Sequence, residues 1–324
     1  MDLHIRAFYN LLRLNSLEDL SLKKYDWQVE DLRKVSTFEI FQRLENFRIY
    51  LDKDKFFAYS EKFDTPEDLW EGLAVSINEK NKDEIYLLLF ELWRRLLPER
   101  QSVSIFCDEL DHRIFLYDRH LLESDELIQN AITNLEEILD DSADLENDPK
   151  KVFEMLAGYC CHDIESFLYD YIFEQIDSNN HLYAIDLLDS FYPYAQNINW
   201  FNFLNIKIIA FSDIIEANQL LSQIIKSLEK EPDLDLQFEI LRFLVVAGDR
   251  DFFSKLVKMC LAVLQSEGDF LELMDIVADF YRRLDLEEKE KAIEKIINKR
   301  CEISSKSEFK HDDEDIESIQ KIIT

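Results

Sequence analysis

The sequence predicts an all-α protein, an α-α superhelix built of stacked helical hairpins, and three observations predict it. Only four glycines and five prolines occur in 324 residues, whereas sheets with tight hairpins and doubly wound folds spend glycine on turns and phosphate loops. Apolar residues recur at helical spacing through long windows, and no stretch alternates convincingly with period two. Break signals in the second half return with a period near 35. With 47% apolar and 13% aromatic residues, the chain can bury one large core or two ordinary ones.

Taken in order, Met1-Asp2-Leu3-His4-Ile5-Arg6 is amphipathic from the first turn and lacks the apolar run of a secretory signal. Ser36-x-x-Glu39 and Thr65-Pro66-Glu67-Asp68 mark helix starts, with a capping hydroxyl, a proline suited to the first turn and acids that complement the dipole. Ile85, Leu88, Leu89, Leu92, Trp93 and Leu96 fall on one helical face. Leu110, Ile114 and Tyr117 form the next buried stripe, leaving Glu109, Asp111 and Arg113 to solvent. Ile128, Ala131, Ile132, Leu135 and Leu139 form another.

Residues 140–149 then interrupt the pattern with acids and end in Asp-Pro. They read as the joint between an N-terminal helical half, residues 1–140, and a repeat half, residues 149–301, or as an acidic loop within one solenoid. Phe153, Leu156, Tyr159 and Cys160 continue a helical stripe, which places Cys160 in the core. Beyond it, breaks at Asn179-Asn180, Asn197, Ser212-Asp213, Pro232, Gly248, Gly268 and about Asp285 leave one helix of four to five turns in each gap. Gly248-Asp249 and Gly268-Asp269 each fit a left-handed stop followed by an N-cap. Leu273, Ile276, Val277, Phe280, Tyr281 and Leu284 make the last strong stripe. Residues 302–324 read as a polar tail that closes in a short helix at Ile316, Ile319, Ile322 and Ile323.

A constant period of two helices implies hairpins that cannot bury their apolar faces alone and must stack. Ala278-x-x-Tyr281, followed by Ala292 on the next helix, resembles the small and aromatic positions at which the two helices of a tetratricopeptide repeat touch. The resemblance covers residues 163–301 and implies an architecture of about four hairpins. The second alanine falls two residues late, and the Trp-Leu-Gly pattern of the first helix is missing, so no ligand-binding residues carry over.

Charge is distributed unevenly. Residues 120–206 hold eighteen Asp and Glu against Lys150 and Lys151, about half of the chain's net charge of −31. Such a field repels nucleic-acid backbones and anionic membranes and favours a basic protein partner or cations. Glycines at 72, 158, 248 and 268 alone exclude a Walker loop, a dinucleotide fingerprint and a Gly-x-Ser-x-Gly nucleophile elbow. Five scattered cysteines without a Cys-x-x-Cys pair, and the lack of an apolar stretch of about 20 residues, predict reduced thiols in a cytoplasmic protein.

Two strings suggest chemistry. Glu109 and His112, three apart on a helix, project together as in helical carboxylate metal sites, but their companion pair, Glu308 and His311, lies in the polar tail. Cys160-Cys161-His162-Asp163 looks reactive, yet consecutive residues on a helix point about 100° apart. No catalytic residue, metal or cofactor is expected. The expectation is instead a partner site: thirteen aromatics lie between Phe153 and Phe203, at spacings that cannot all face one core. Asp163, Glu165, Asp170, Glu174, Asp186 and Asp189, with Tyr169, Tyr171, Tyr192 and Tyr194 as anchors, would receive a basic segment. The functional expectation is a non-catalytic protein–protein interaction protein, an acidic scaffold or chaperone. Its alternatives are an acidic mimic that sequesters a nucleic-acid-binding protein and a metal-dependent enzyme using Glu109 and His112.

Overall fold

The computed structural model describes residues 3–74, 79–146, 148–247, 249–311 and 314–323. Among them every regular element is helical, apart from one isolated antiparallel bridge between Ser266 and Glu308. No helix among the described residues is long and apolar enough to cross a membrane. The chain divides into two compact units, Met1–Leu168 and Tyr169–Thr324.

The first unit holds α1 (Ile5–Glu18), α2 (Asp26–Val29), α3 (Thr37–Asn46), α4 (Lys53–Ser60), α5 (Pro66–Ala74), α6 (Lys82–Leu96), α7 (Val103–Asp118), α8 (Glu126–Glu146) and α9 (Pro149–Ala157). Helix α6 is its centre: every residue from Ile85 to Trp93 is buried, the behaviour of a helix enclosed on all sides. The helix starts read from the sequence are present, with Ser36 accepting from the Glu39 amide at 3.2 Å and Thr65 from the Asp68 amide at 3.1 Å. All five residues of the α8 stripe are buried. The acids after Leu139 extend α8 to Glu146 instead of interrupting it. Asp and Glu cost a helix well under about 1 kcal/mol each, and no helix breaker precedes Pro149, which opens α9 behind Asp148. Asn147 lies outside the described residues.

The second unit is built from α10 (Ile164–Asp177), within which the division falls, and from α11 (His181–Phe191), α12 (Ile198–Ala210), α13 (Ile214–Leu228), α14 (Leu234–Ala247), α15 (Arg250–Val263), α16 (Glu267–Arg283), α17 (Glu287–Arg300) and α18 (Glu314–Ile323). Helices pack in adjacent pairs, α12 with α13, α14 with α15 and α16 with α17, and the first helices stack α12 on α14 and α14 on α16. First helices begin at Ile164, Ile198, Leu234 and Glu267, 34, 36 and 33 residues apart. This is an all-α helical-hairpin superhelix.

The turns follow their chemistry. Asn179 and Asp285 stop helices at φ 63° and 54°, a region that Asn and Asp tolerate. Asp213 and Asp249 cap α13 and α15 with their carboxylates. Gly268 corrects one expectation: it sits inside the first turn of α16, where Ser266 and Asp269 form a capping box, and is no left-handed stop. Gly248 lies outside the described residues. The segment read as a polar tail docks on the repeats. Phe309 stacks on Phe270 at 4.9 Å, and Ile319 and Ile323 join the core. Arg300 is buried between Glu267, at 2.6 Å, and Asp315, at 3.1 Å.

Candidate binding groove

A helix in a stack has one stripe in the core and another outside. On α14, Leu236, Ile240, Leu241 and Leu244 are buried, which leaves Asp235, Glu239, Arg242 and Val246 on the opposite stripe. On α16, Phe270, Leu273, Val277 and Phe280 are buried, and Glu272, Asp275, Asp279 and Arg283 face away. The outer stripes of α12 and of the second-unit part of α10 contribute Trp200, Lys207, Tyr169, Phe173 and Asp177. Because the first helices stack in order, these stripes adjoin and enclose three neighbouring hollows.

One, of about 300 Å³, lies among Tyr169, Phe173, Trp200, Asp235 and Glu239. The next, of about 400 Å³, is more apolar and lies among Phe173, Phe211, Phe243 and Val246. The third, of about 670 Å³, lies between α14 and α16 beside Leu271, Asp275 and Asp279. Arg242 borders all three.

Seven carboxylates, Asp170, Asp177, Asp235, Glu239, Glu272, Asp275 and Asp279, line the groove with three cations, Lys207, Arg242 and Arg283. The cations are all engaged. Lys207 pairs with Asp177 at 3.1 Å, Arg242 with Glu239 at 2.6 Å and with Glu272, and Arg283 with Asp279 at 3.5 Å. Asp235 and Asp275 have no basic partner among the described residues. The Lys207 ammonium lies 3.1 Å from the Phe173 ring centroid. Burial pushes its pKa down against the pull of Asp177.

Trp200 is fixed by its indole N–H, which donates to Asp233 at 2.8 Å, and Tyr169 stands edge-on to it at 4.8 Å and 87°. Tyr169 is only 7% exposed, and its hydroxyl oxygen is buried without a hydrogen-bond partner. Burial first, then the neighbouring Glu239, pushes the pKa of that hydroxyl far up.

The residues expected to form a partner site are divided between the two units, and three of their four tyrosines are buried. Asp163 and Glu165 belong to the first unit, where Asp163 accepts from the Ser166 amide at 3.2 Å. Asp186 and Asp189 are exposed on α11, and Glu174 on α10. Tyr169, Tyr171 and Tyr194 are buried, and of the four tyrosines Tyr192 alone is exposed, at 38%, with its hydroxyl on Asn202 at 2.8 Å. The reason is that α10 is buried on nearly all sides, so aromatics at non-helical spacing still meet packing partners, as Tyr171 meets Tyr183 at 6.4 Å. Tyr169 and Asp170 alone reach the groove. The residues that sequence reasoning missed, Asp235, Glu239, Glu272 and Asp275, carried a signal: charged positions spaced three and four apart on the non-core stripe of successive first helices.

In the first unit, Glu109 is taken by Arg33 at 2.8 Å and Arg94 at 3.0 Å, so it offers His112 no free carboxylate. The His112 Nδ1 is buried without a partner, and burial followed by Arg33 pushes its pKa down. Asp111, expected in solvent, is buried. It accepts from the amides of Cys161 at 2.8 Å and His162 at 3.1 Å and faces His162 Nδ1 at 2.9 Å. Cys161 and His162 lie in the turn between α9 and α10, so helical geometry does not separate them. With Asp111 they place three ligand atoms within 4.8 Å of one another, the one such group among the described residues. Its carboxylate already staples this turn. Burial, then Asp111, pushes the Cys161 thiol far up, and a hydrogen bond with Cys107, then burial, does the same for Cys160. Both are held as thiols, the inert form. Comparison with protein-family models, with curated proteins and with solved structures returned no match.

Proposed function

We propose that this chain is a non-catalytic binding protein, a tetratricopeptide-like helical scaffold whose groove along α10, α12, α14 and α16 grips a basic segment of a partner protein. One observation carries the reading: seven carboxylates against three cations line an aromatic groove, and each cation is already spent on a carboxylate of the same groove. An extended segment laid across stacked helices contacts successive first helices. Its Lys or Arg side chains would meet Asp235 and Asp275, and its apolar ones the hollow beside Phe243. The groove's surplus of carboxylates would speed encounter, and aromatic burial would set residence.

Fluorescence anisotropy with labelled peptides of graded Arg and Lys content tests this. Basic peptides should bind at low salt and weaken as salt rises, because the Debye length falls to about 8 Å at physiological ionic strength. Asp235→Lys with Asp275→Lys should slow their association about tenfold. Equal binding of acidic and basic peptides, or indifference to both reversals, would sink the proposal.

A further inference from the structure

We infer that the hollow between α10, α12 and α14 is an arginine subsite, in which Tyr169, Phe173 and Trp200 hold a partner's guanidinium beside Asp235 and Glu239 while the Tyr169 hydroxyl accepts one of its N–H groups. The inference rests on the groove being the binding surface and names what its first hollow recognises.

Three observations converge. The hollow, about 300 Å³, is walled by four aromatic rings, those of Tyr169, Phe173, Trp200 and Phe238, and by Asp170, Asp235, Glu239 and Glu272, and its one cation, Arg242, is paired with Glu239 and Glu272. Net charge in the hollow is therefore negative, and Asp235 has no basic partner among the described residues. Tyr169 lines this same hollow, and its hydroxyl is buried without a partner. A buried hydroxyl without a partner is destabilising unless a ligand supplies one. At Phe173, a wall this hollow shares with the next, the chain places a cation of its own in the matching arrangement: the Lys207 ammonium lies over the Phe173 ring, 3.1 Å from its centroid, and 3.1 Å from an Asp177 carboxylate oxygen. An aromatic face with a carboxylate beside it is thus already used here to hold positive charge.

Arginine fits better than lysine for physical reasons. A guanidinium is planar, stacks on aromatic rings, presents five donors and gives up its hydration more readily than an ammonium. It can reach the Tyr169 oxygen and a carboxylate at once, whereas an ammonium over a ring aims its donors less widely. Tryptophan supplies the strongest cation–π face, and Trp200 is held in place by its bond to Asp233.

The test uses the full chain and two fluorescein-labelled probes of equal charge, acetyl-hexa-arginine amide and acetyl-hexa-lysine amide, with affinity read by anisotropy and thermal stability read in parallel. Hexa-arginine should bind about fivefold tighter than hexa-lysine. Tyr169→Phe removes only the oxygen. It should lower hexa-arginine affinity about fivefold and raise the melting temperature of the free protein, because the unpartnered hydroxyl is gone. Asp235→Asn, an exposed position that cannot disturb the core, should weaken both probes. If neither peptide binds the wild-type chain, the groove reading falls and this one with it. If both bind equally well and Tyr169→Phe leaves affinity unchanged, the groove stands and the arginine subsite is overturned.

Discussion

Replacing Asp108 by Asn tests whether charge holds the polar core of the first unit. The Asp108 carboxylate is buried, accepts from Arg6 Nε at 2.6 Å and Asn10 Nδ2 at 2.9 Å, and pairs with Arg33. Burial alone would push its pKa up; Arg6 and Arg33, with the Asn10 hydrogen bond, override that and hold it well below the usual carboxylate range. Asparagine keeps the shape and removes the charge, leaving the buried Arg6 guanidinium without its counter-ion. Breaking a buried pair from one side costs about 3–5 kcal/mol. At about 2–4 °C per kcal/mol for a unit of this size, the melting temperature should fall by about 6–20 °C.

The pH dependence has a definite sign. A carboxyl whose folded pKa is depressed contributes its full stability above the unfolded value, near about 4, and loses that contribution as the pH falls towards the folded value. The gap between wild type and Asp108→Asn should therefore be complete at neutral pH and shrink below about pH 4. Calorimetry and urea titration of the full chain across the acid limb measure the gap, and hydrogen exchange in α1 and α7 locates it. A loss under about 1 kcal/mol at neutral pH, or a gap that stays constant into the acid limb, would refute the argument that these charges hold the unit together.

Arg300→Met should free the C-terminal segment, since it leaves the buried Glu267 carboxylate without its cation and Asp315 with Lys299 alone; amide exchange in α18 and around Phe309 should accelerate at least tenfold, and unchanged exchange would mean the apolar contacts alone dock it. In the native protein only the exposed Cys301 should react rapidly with Ellman's reagent. Cys107, Cys160 and Cys260 are buried, burial pushes Cys260 up to about 12, and Cys161 is held further up still, so a second fast thiol would contradict the buried geometry.

Helices and their turns were legible because their signals are local. The five-residue stripe of α8, the caps at Ser36 and Asp249 and the breaks at Asn179, Asp213 and Asp285 each depend on residues within a turn or two. The two-helix period was legible for the same reason, one step up. Long-range polar partners were not. Asp111 on α7 looks like a solvent-facing acid until it meets amides fifty residues away at Cys161 and His162. Arg300 likewise looks like the basic end of an ordinary surface helix until the segment after it folds back and brings Asp315 to it. Gly268 misled because a Gly-Asp pair suits both a stop and a first turn, and the hydroxyl of Ser266, two residues earlier, decides between them.

The candidate site was missed for a related reason: charge along a chain is not charge on a surface. The most one-sided segment, residues 120–206, scatters its acids over α8, α9, α10 and α11, and little of its excess enters the groove. Residues 207–324, with 26 acids and 17 bases, look far better balanced, yet they supply five of the seven groove carboxylates. Local pairing explains the difference. Arg242 spends its one charge between Glu239 and Glu272, and Arg282 faces Asp279, Glu290 and Glu294. Asp235 and Asp275 thus keep their charge uncompensated within a segment whose bases look sufficient. What a partner meets is set by which carboxylates have a cation within reach of their own helix or the next, and that depends on the phase of each stripe in the stack.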